Sequence, residues 1–182
     1  MSRLKPPVFA VAVLWAVFLV DGYLTGIDLR VFGLVPRETD RLWAILTIPF
    51  LHGHMAHLIG NSIPLLLFGW LVMRRGTGRF IAASAFIIVV GGVFLWLIGR
   101  PALHIGASGW VFGLWGLIIA DGWYERTPTA VLTSLLVILL YGGMVWGLLP
   151  QATVSFEAHL GGLVAGVLYS GFSHRNRRVA RR

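Results

Sequence analysis

The sequence of 182 residues has no cysteine and few charged side chains. Without cysteine, the chain can form no disulfide, thiolate nucleophile or cysteine-based metal site. Charged residues make up 12% of the chain and hydrophobic residues 57%, whereas a soluble domain has about 25% charged residues. Too little polar material remains to cover a surface that faces water. The composition therefore predicts an integral membrane protein.

Acidic residues are also scarce, with 7 Asp and Glu against 15 Lys and Arg, for a net charge of +8. A basic balance of this kind can indicate nucleic-acid binding. Here the cations stand singly or in small groups between apolar runs, which is typical of a positive-inside bias. We expect a lipid bilayer and no nucleic acid as partner. The first apolar run lacks a small-x-small cleavage site before Asp21, so we expect it to be retained rather than removed as a signal peptide.

Charges and Gly/Pro punctuation mark off six apolar segments. The prediction is an all-α bundle of six transmembrane helices, in one membrane domain over residues 1–182. A long structured external loop is expected at 21–56 and a basic cytosolic tail at 174–182. The six segments lie at about 8–20, 57–73, 80–99, 108–120, 130–149 and 159–172.

The distribution of cations predicts the orientation of these segments. With six crossings, both termini lie on one side of the membrane, called side A here, and the opposite side is side B. Side A then holds 11 of the 15 cations: Arg3, Lys5, Arg74, Arg75, Arg79, Arg126, Arg175, Arg177, Arg178, Arg181 and Arg182. The positive-inside rule places side A in the cytosol, and a bacterial inner membrane is the expected location.

Three polar residues share one depth in the predicted bundle. Asn61 lies 13 residues before Arg74, Ser108 lies 13 before Asp121, and His159 lies 15 before His174. At 1.5 Å per residue these spacings correspond to roughly 20 to 22 Å from side A. Polar side chains within spans are costly and become functional candidates. His57 lies at i−4 from Asn61 and therefore shares its helix face.

Glycines favour a meeting of the fourth and sixth segments. Ser108 is followed by glycines at 109, 113 and 116, and His159 by glycines at 161, 162 and 166. A Gly-x-x-x-Gly spacing lets two membrane helices approach closely. Packing alone explains most such motifs. Here, however, the same contact would bring the serine and the histidine within reach of each other.

This set of residues matches the requirements of nucleophilic acyl transfer. Neutral His159 could take the proton of the Ser108 hydroxyl. Asn61, His57 and the backbone N–H of Ser108 could hold the oxyanion. Glu157, two residues before His159, should point elsewhere on a helix, so we predict a Ser/His dyad.

Structural and metal-binding alternatives remain open for several of these residues. A serine in a membrane helix often bonds its own i−4 carbonyl. His52, His54 and His57 could instead bind a metal, although their spacing fits no familiar zinc motif. His104 is expected to be a solvated bystander.

Three motifs on three segments resemble those of rhomboid proteases. Gly106-Ala-Ser108-Gly109 resembles the family's Gly-x-Ser-Gly nucleophile motif. His159-Leu-Gly-Gly162-Leu-Val-Ala-Gly166 resembles its last helix, and His52-Gly-His-Met-Ala-His57-Leu-Ile-Gly-Asn61 resembles its second-helix signature. The resemblance implies an intramembrane serine endopeptidase without cofactor or metal, with catalytic Ser108 and His159. The oxyanion and substrate-binding site would be formed by His57, Asn61, Gly106 and Phe112.

The resemblance also implies single-span membrane proteins as substrates, entering past the fifth span and the loop Pro150–Phe156. The chain departs from the family pattern in two places. Arg41-Leu-Trp43 is the nearest match to its Trp-Arg pair, and Phe112 stands where tyrosine often stacks on the catalytic histidine.

Two functions of other classes compete with proteolysis. One is a non-catalytic adaptor or chaperone on the same scaffold, although such relatives typically lack the serine or the histidine. The other is a small transporter or channel, which should show inverted repeats or ionisable residues along a whole pathway. The sequence identifies neither the substrate nor the oligomeric state.

Overall fold

The computed structural model describes residues 5–24 and 28–179. Within these ranges the regular structure is helical, and the only β-type pairing is one bridge between Leu34 and His104. The fold is all-α. Its helices are α1 (Lys5–Leu19), α2 (Ala44–Thr47), α3 (Met55–Met73), α4 (Thr77–Ile98), α5 (Ser108–Glu125), α6 (Pro128–Tyr141) and α7 (Phe156–Val179).

Each of the six apolar segments coincides with a long helix, but some boundaries differ from the prediction. α5 continues beyond residue 120 to Glu125, and α7 continues to Val179, through most of the predicted tail. The last three residues of that tail lie outside the described residues. α6 ends at Tyr141, and a 3-10 segment, Gly142–Leu148, follows. The two glycines that open this segment explain the early end, since glycine disfavours the α-helix.

Among the described residues, four segments are long and apolar enough to cross a membrane, namely Lys5–Gly22, Met55–Met73, Thr77–Ile98 and Pro128–Leu148. Large apolar side chains face outward on them: Leu139 and Leu140 of α6 are 78% and 71% exposed. This surface suits lipid, in which helices satisfy all backbone polar groups internally. α5 ends in charged residues and is buried along most of its length by its neighbours.

Glycine contacts join α5 to α7. A Cβ on Gly162 would collide with the carbonyl oxygen of Gly109, and one on Gly166 would collide with that of Gly113. The two backbones therefore touch along the predicted glycine faces. The expected close approach of the fourth and sixth segments is confirmed.

The connection between α1 and α3 packs its apolar residues against α4. It buries Leu34 of the β-bridge, and Ala44, Ile45 and Ile48 of its short helical turns, in one cluster with Leu95 of α4. Arg37 donates from Nη1 to the carbonyl of Gly99 at 2.8 Å, just beyond the end of α4. Contacts with α4 thus fix the path of residues 34–48 toward the start of α3.

An ion-pair network lies at the end of the bundle where α3 and α5 end and α4 begins. Asp121 of α5 is buried and accepts hydrogen bonds from Arg75 and Arg79, while Glu125 pairs with the same two arginines. Ser170 of α7 donates to Asp121 at 2.6 Å. Because both sides of the network are charged, burial of the carboxylate is compensated, and the network links α4, α5 and α7.

Candidate active site

One cavity of about 660 Å³ brings together the polar residues that share one predicted depth. It lies at the end of the bundle where α3, α5 and α7 begin, and connecting loops complete its wall. The predicted site residues that line it are His57, Asn61, Ser108, Phe112 and His159.

Ser108 is the first residue of α5 and borders the cavity. The first N–H groups of a helix lack intrahelical acceptors, and the helix dipole adds positive potential at this end. An oxyanion beside Ser108 would therefore meet backbone donors. Ser108 and His159 both lie within the described residues, and no hydrogen bond joins the Ser108 hydroxyl to the imidazole. Such bonds are often long before substrate binds.

His159 is held on its face and on its edge. The Phe112 ring stacks on the imidazole, with centroids 4.1 Å apart and an interplanar angle of 6°. Nδ1 lies 2.7 Å from the carbonyl oxygen of Gly147. A carbonyl can only accept, so Nδ1 carries the hydrogen and Nε2 keeps a lone pair. Neutral His159 is thus in the tautomer that a general base acting through Nε2 requires.

His57 and Asn61 lie beside Gly106, two residues before Ser108. A Cβ on Gly106 would stand 2.5 Å from Cε1 of His57 and 3.8 Å from Nδ2 of Asn61, and its φ of +117° also favours glycine. Glycine at this position lets the imidazole and the amide approach the backbone that leads into the nucleophile helix.

His52 contributes to the site in a way that sequence reasoning missed. The Asn61 amide donates from Nδ2 to Nε2 of His52 at 3.1 Å, and the rings of His52 and His57 meet edge to face at 5.0 Å. Burial and the neighbouring His57 lower the pKa of His52 to about 4. A neutral His52 can therefore keep accepting the hydrogen bond that orients Asn61.

The histidines of this region do not converge as metal ligands. His54 accepts the backbone N–H of His57 at Nδ1, which caps α3, while Nε2 of His52 is taken by Asn61. Across the described residues, no group of three or more His, Cys, Asp or Glu side chains has an arrangement that could hold a metal ion.

The prediction of a solvated His104 is wrong. Its side chain is buried, with Nδ1 2.6 Å from the Ser155 hydroxyl and Nε2 3.0 Å from the Arg100 carbonyl. The backbone of His104 also pairs with that of Leu34. His104 therefore ties the connection before α7 to the connection before α5.

Arg100 makes a second tie to the connection before α7. Its guanidinium donates to the carbonyls of Gln151 and Val154, and its Nε lies 3.3 Å from Oε1 of buried Glu157. Glu157 thus has Arg100 as its partner, and no hydrogen bond joins it to His159 among the described residues. Sequence alone gave no signal for this tie, because Arg100 and Glu157 are 57 residues apart.

Comparison with known proteins identifies relatives of this chain. A family model described as the Rhomboid domain matches residues 39–176. An uncharacterized protein of Mycobacterium tuberculosis (strain ATCC 25618 / H37Rv) is 40% identical over 168 residues, covering 87% of this chain and 70% of the relative. RHOMBOID-like protein 5 of Arabidopsis thaliana is 32% identical over 155 residues, covering 79% of this chain and 48% of the relative. The "Putative rhomboid protease YdcA" of Bacillus subtilis (strain 168) is 28% identical over 170 residues, covering 87% and 82%.

Proposed function

The chain belongs to the rhomboid family, and on that premise we propose that it is an intramembrane serine endopeptidase with Ser108 as nucleophile and His159 as general base. The observation that carries the proposal is the single cavity shared by Ser108, His159, His57 and Asn61. A hydroxyl, a correctly oriented imidazole and polar donors at a helix N-terminus are what acyl transfer needs.

Each group has one role in the proposed reaction. Nε2 of His159 takes the Ser108 proton as Oγ attacks the scissile carbonyl, and later gives it to the leaving amine. The Ser108 N–H, His57 and Asn61 stabilise the oxyanion of the tetrahedral intermediate. Phe112 keeps the imidazole plane fixed without the hydroxyl that a tyrosine would add. Water then releases the acyl group from Ser108.

The proposed setting is a bacterial inner membrane crossed six times, with both termini in the cytosol and the cavity near the outer surface. Substrates are single-span membrane proteins, which enter beside α6 and the loop Pro150–Phe156. Exposed apolar residues on α6 and the position of that loop in the cavity wall support this route.

A fluorophosphonate probe tests the nucleophile directly. We expect the purified protein to be labelled covalently, and mass spectrometry should map the label to Ser108. Ser108→Ala should lose both the label and the cleavage of a single-span test substrate while staying folded. The matched control is Ser155→Ala, because Ser155 lines the same cavity and also contacts a histidine, His104.

Two outcomes would redirect the proposal. A label on Ser155, lost in Ser155→Ala and kept in Ser108→Ala, would make the Ser155–His104 pair the reactive one. A folded wild-type protein that neither takes the probe nor cleaves would favour the non-catalytic adaptor or chaperone.

A further inference from the structure

The imidazole of His159 is oriented by a backbone carbonyl on a segment outside the α-helices. Its Nδ1 donates to the carbonyl oxygen of Gly147 at 2.7 Å. Gly147 belongs to the 3-10 segment Gly142–Leu148, which follows α6. The nearest carboxylate in sequence, Glu157, is engaged with Arg100 instead. Gly147 therefore occupies the place that a carboxylate holds in a three-membered catalytic set.

The contact at Gly147 is too close to accommodate a side chain. A Cβ at this position would stand 2.8 Å from Cζ of Phe112 and 3.1 Å from Nδ1 of His159. Phe112 packs on the face of the imidazole and Gly147 meets its edge, so the two together confine the ring. Glycine is the residue that allows both contacts.

The segment that carries this carbonyl lies at the edge of the bundle. Trp146 and Val145 are 67% and 48% exposed, and Gln151 donates to the Trp146 carbonyl at 2.9 Å. None of the residues in Gly142–Leu148 is buried. The acceptor for His159 is thus borne by a peripheral segment, whereas the nucleophile and the base stand on the packed helices α5 and α7.

We propose that the Gly147 peptide carbonyl is the third member of the catalytic set, a positioning group that fixes the His159 tautomer. The inference rests on the proposed function and extends it. The placement of Gly142–Leu148 then decides whether His159 can act as a base: with this segment in place Nε2 is free to take the serine proton, and with it displaced the tautomer is no longer fixed.

Nitrogen NMR of the full chain, ¹⁵N-labelled at histidine, tests the contact without any need for activity. The His159 signal is identified by its loss in His159→Gln. In the wild type we expect it to report hydrogen on Nδ1. In Gly147→Ala, where the added methyl displaces the ring, we expect the signal to shift toward a tautomer mixture. The matched control is Gly143→Ala, since Gly143 lies in the same segment and a Cβ there meets nothing within 4 Å.

Steady-state kinetics with the single-span test substrate supply the second readout. We expect kcat of Gly147→Ala to fall at least roughly tenfold, a modest part of what general-base catalysis contributes. KM should stay close to the wild-type value, because substrate binding does not need the tautomer. Gly143→Ala should match the wild type in both constants.

A backbone ester provides a variant without added bulk. Replacing Leu148 by its α-hydroxy-acid analogue turns the Gly147 carbonyl into an ester carbonyl, a weaker acceptor, with all side chains kept. This variant decides the matter if Gly147→Ala does not fold. The control is an ester at Gly143, which weakens the Gly142 carbonyl of the same segment and leaves the Gly147 carbonyl an amide.

The proposal is overturned if the His159 signal in these Gly147 carbonyl variants equals that of their controls, or if the signal changes while kcat does not. A wild-type protein without protease activity would defeat the proposed function, yet its NMR spectrum would still report the His159–Gly147 contact. A normal protease with an unchanged tautomer in the variants would defeat the Gly147 proposal alone.

Discussion

At the scale of single residues, the sequence predicts the direction of a side chain better on a helix than in a loop. His57 and Asn61 share a face of α3 because they are four residues apart, and both line the cavity. His52 and His104 lie outside regular helices, where sequence spacing does not fix direction. Their contacts with Asn61 and Ser155 come from tertiary packing. The Gly147 carbonyl was still less predictable, since every residue carries one.

Loss of the Asn61 amide should slow the chemical step. We expect Asn61→Ala to lower kcat by roughly ten- to a thousandfold, with the lower end favoured because His57 and the Ser108 N–H remain as donors. KM should change little if the donor acts mainly in the transition state. The measurement is steady-state cleavage of a single-span test substrate.

The control for this variant is the neighbouring residue on α3. Ser62 bonds the Leu58 carbonyl and accepts from Trp15, away from the cavity. Ser62→Ala should therefore keep the wild-type kcat. A raised KM with unchanged kcat in Asn61→Ala would make Asn61 a substrate contact instead.

His52 should make stability depend on pH. Its pKa in the folded protein is about 4, below the ordinary 6.5, because the ring is buried and faces His57. Between these pH values the unfolded chain binds a proton that the folded chain does not, so acidification favours unfolding. Relative to His52→Gln, the wild-type free energy of unfolding should fall as pH drops from 6.5 toward 4, with no further fall below.

Thermal unfolding in detergent at several pH values measures this difference. The matched control is His54→Asn, which removes an exposed histidine two residues away and keeps a side-chain acceptor for the His57 N–H at the start of α3. A constant difference between wild type and His52→Gln across the range would mean that His52 titrates alike in the folded and unfolded states.

At the scale of helices, small residues decide which elements meet. The glycines of α5 and α7 were readable as a packing face, and the two backbones do touch there. The end of α6 was not located correctly, because the apolar run continues past Gly142 and hydrophobicity alone does not distinguish an α-helix from a 3-10 segment. The strong packing of α5 against α7 holds the two candidate catalytic residues on neighbouring helices.

Enlarging Gly162 should separate these two helices. Because its Cβ would collide with the Gly109 carbonyl, Gly162→Ala should destabilise the fold by about 1–3 kcal/mol, a typical cost of overpacking. Cleavage should fall with it, since Ser108 and His159 would move apart. Thermal unfolding and substrate cleavage check both effects.

A second glycine provides the comparison for Gly162. Gly60 lies inside α3, and a Cβ there meets nothing within 4 Å. Gly60→Ala should be neutral or stabilising by up to about 1 kcal/mol, as expected from helix propensity. Equal stability and activity in Gly162→Ala and Gly60→Ala would contradict the role of the close contact.

At the scale of the whole molecule, helix length and hydropathy alone identify fewer membrane-spanning helices than the six that we predict from the sequence. In the part of the chain that the structure describes, four segments meet the requirement of length and hydropathy, whereas six crossings are proposed. The difference lies in α5 and α7. Most of α5 is enclosed by other helices, so it needs no lipid-compatible surface, and polar residues at its ends cost less than they would in lipid.

Cysteine labelling distinguishes six crossings from four, and the naturally cysteine-free chain allows single cysteines to be placed without background. With six crossings, Thr129→Cys should react with a membrane-impermeant thiol reagent from side A and Ala152→Cys from side B. If only the four apolar segments crossed, the two positions would exchange sides. Gly76→Cys and Pro101→Cys serve as references, because both schemes place them on sides A and B, respectively.

The same method tests whether water reaches the proposed catalytic cavity. Hydrolysis of an acyl-enzyme needs water, and the depth calculation places Ser108 about 10 Å below the side-B surface of a bilayer core about 30 Å thick. Asn61→Cys and Ser108→Cys should therefore react from side B, since both positions line the cavity. Leu117→Cys should not react, because Leu117 is fully buried. Protection of positions 61 and 108 from both sides would leave no route for the hydrolytic water, and the proposed serine-protease mechanism would fail with it.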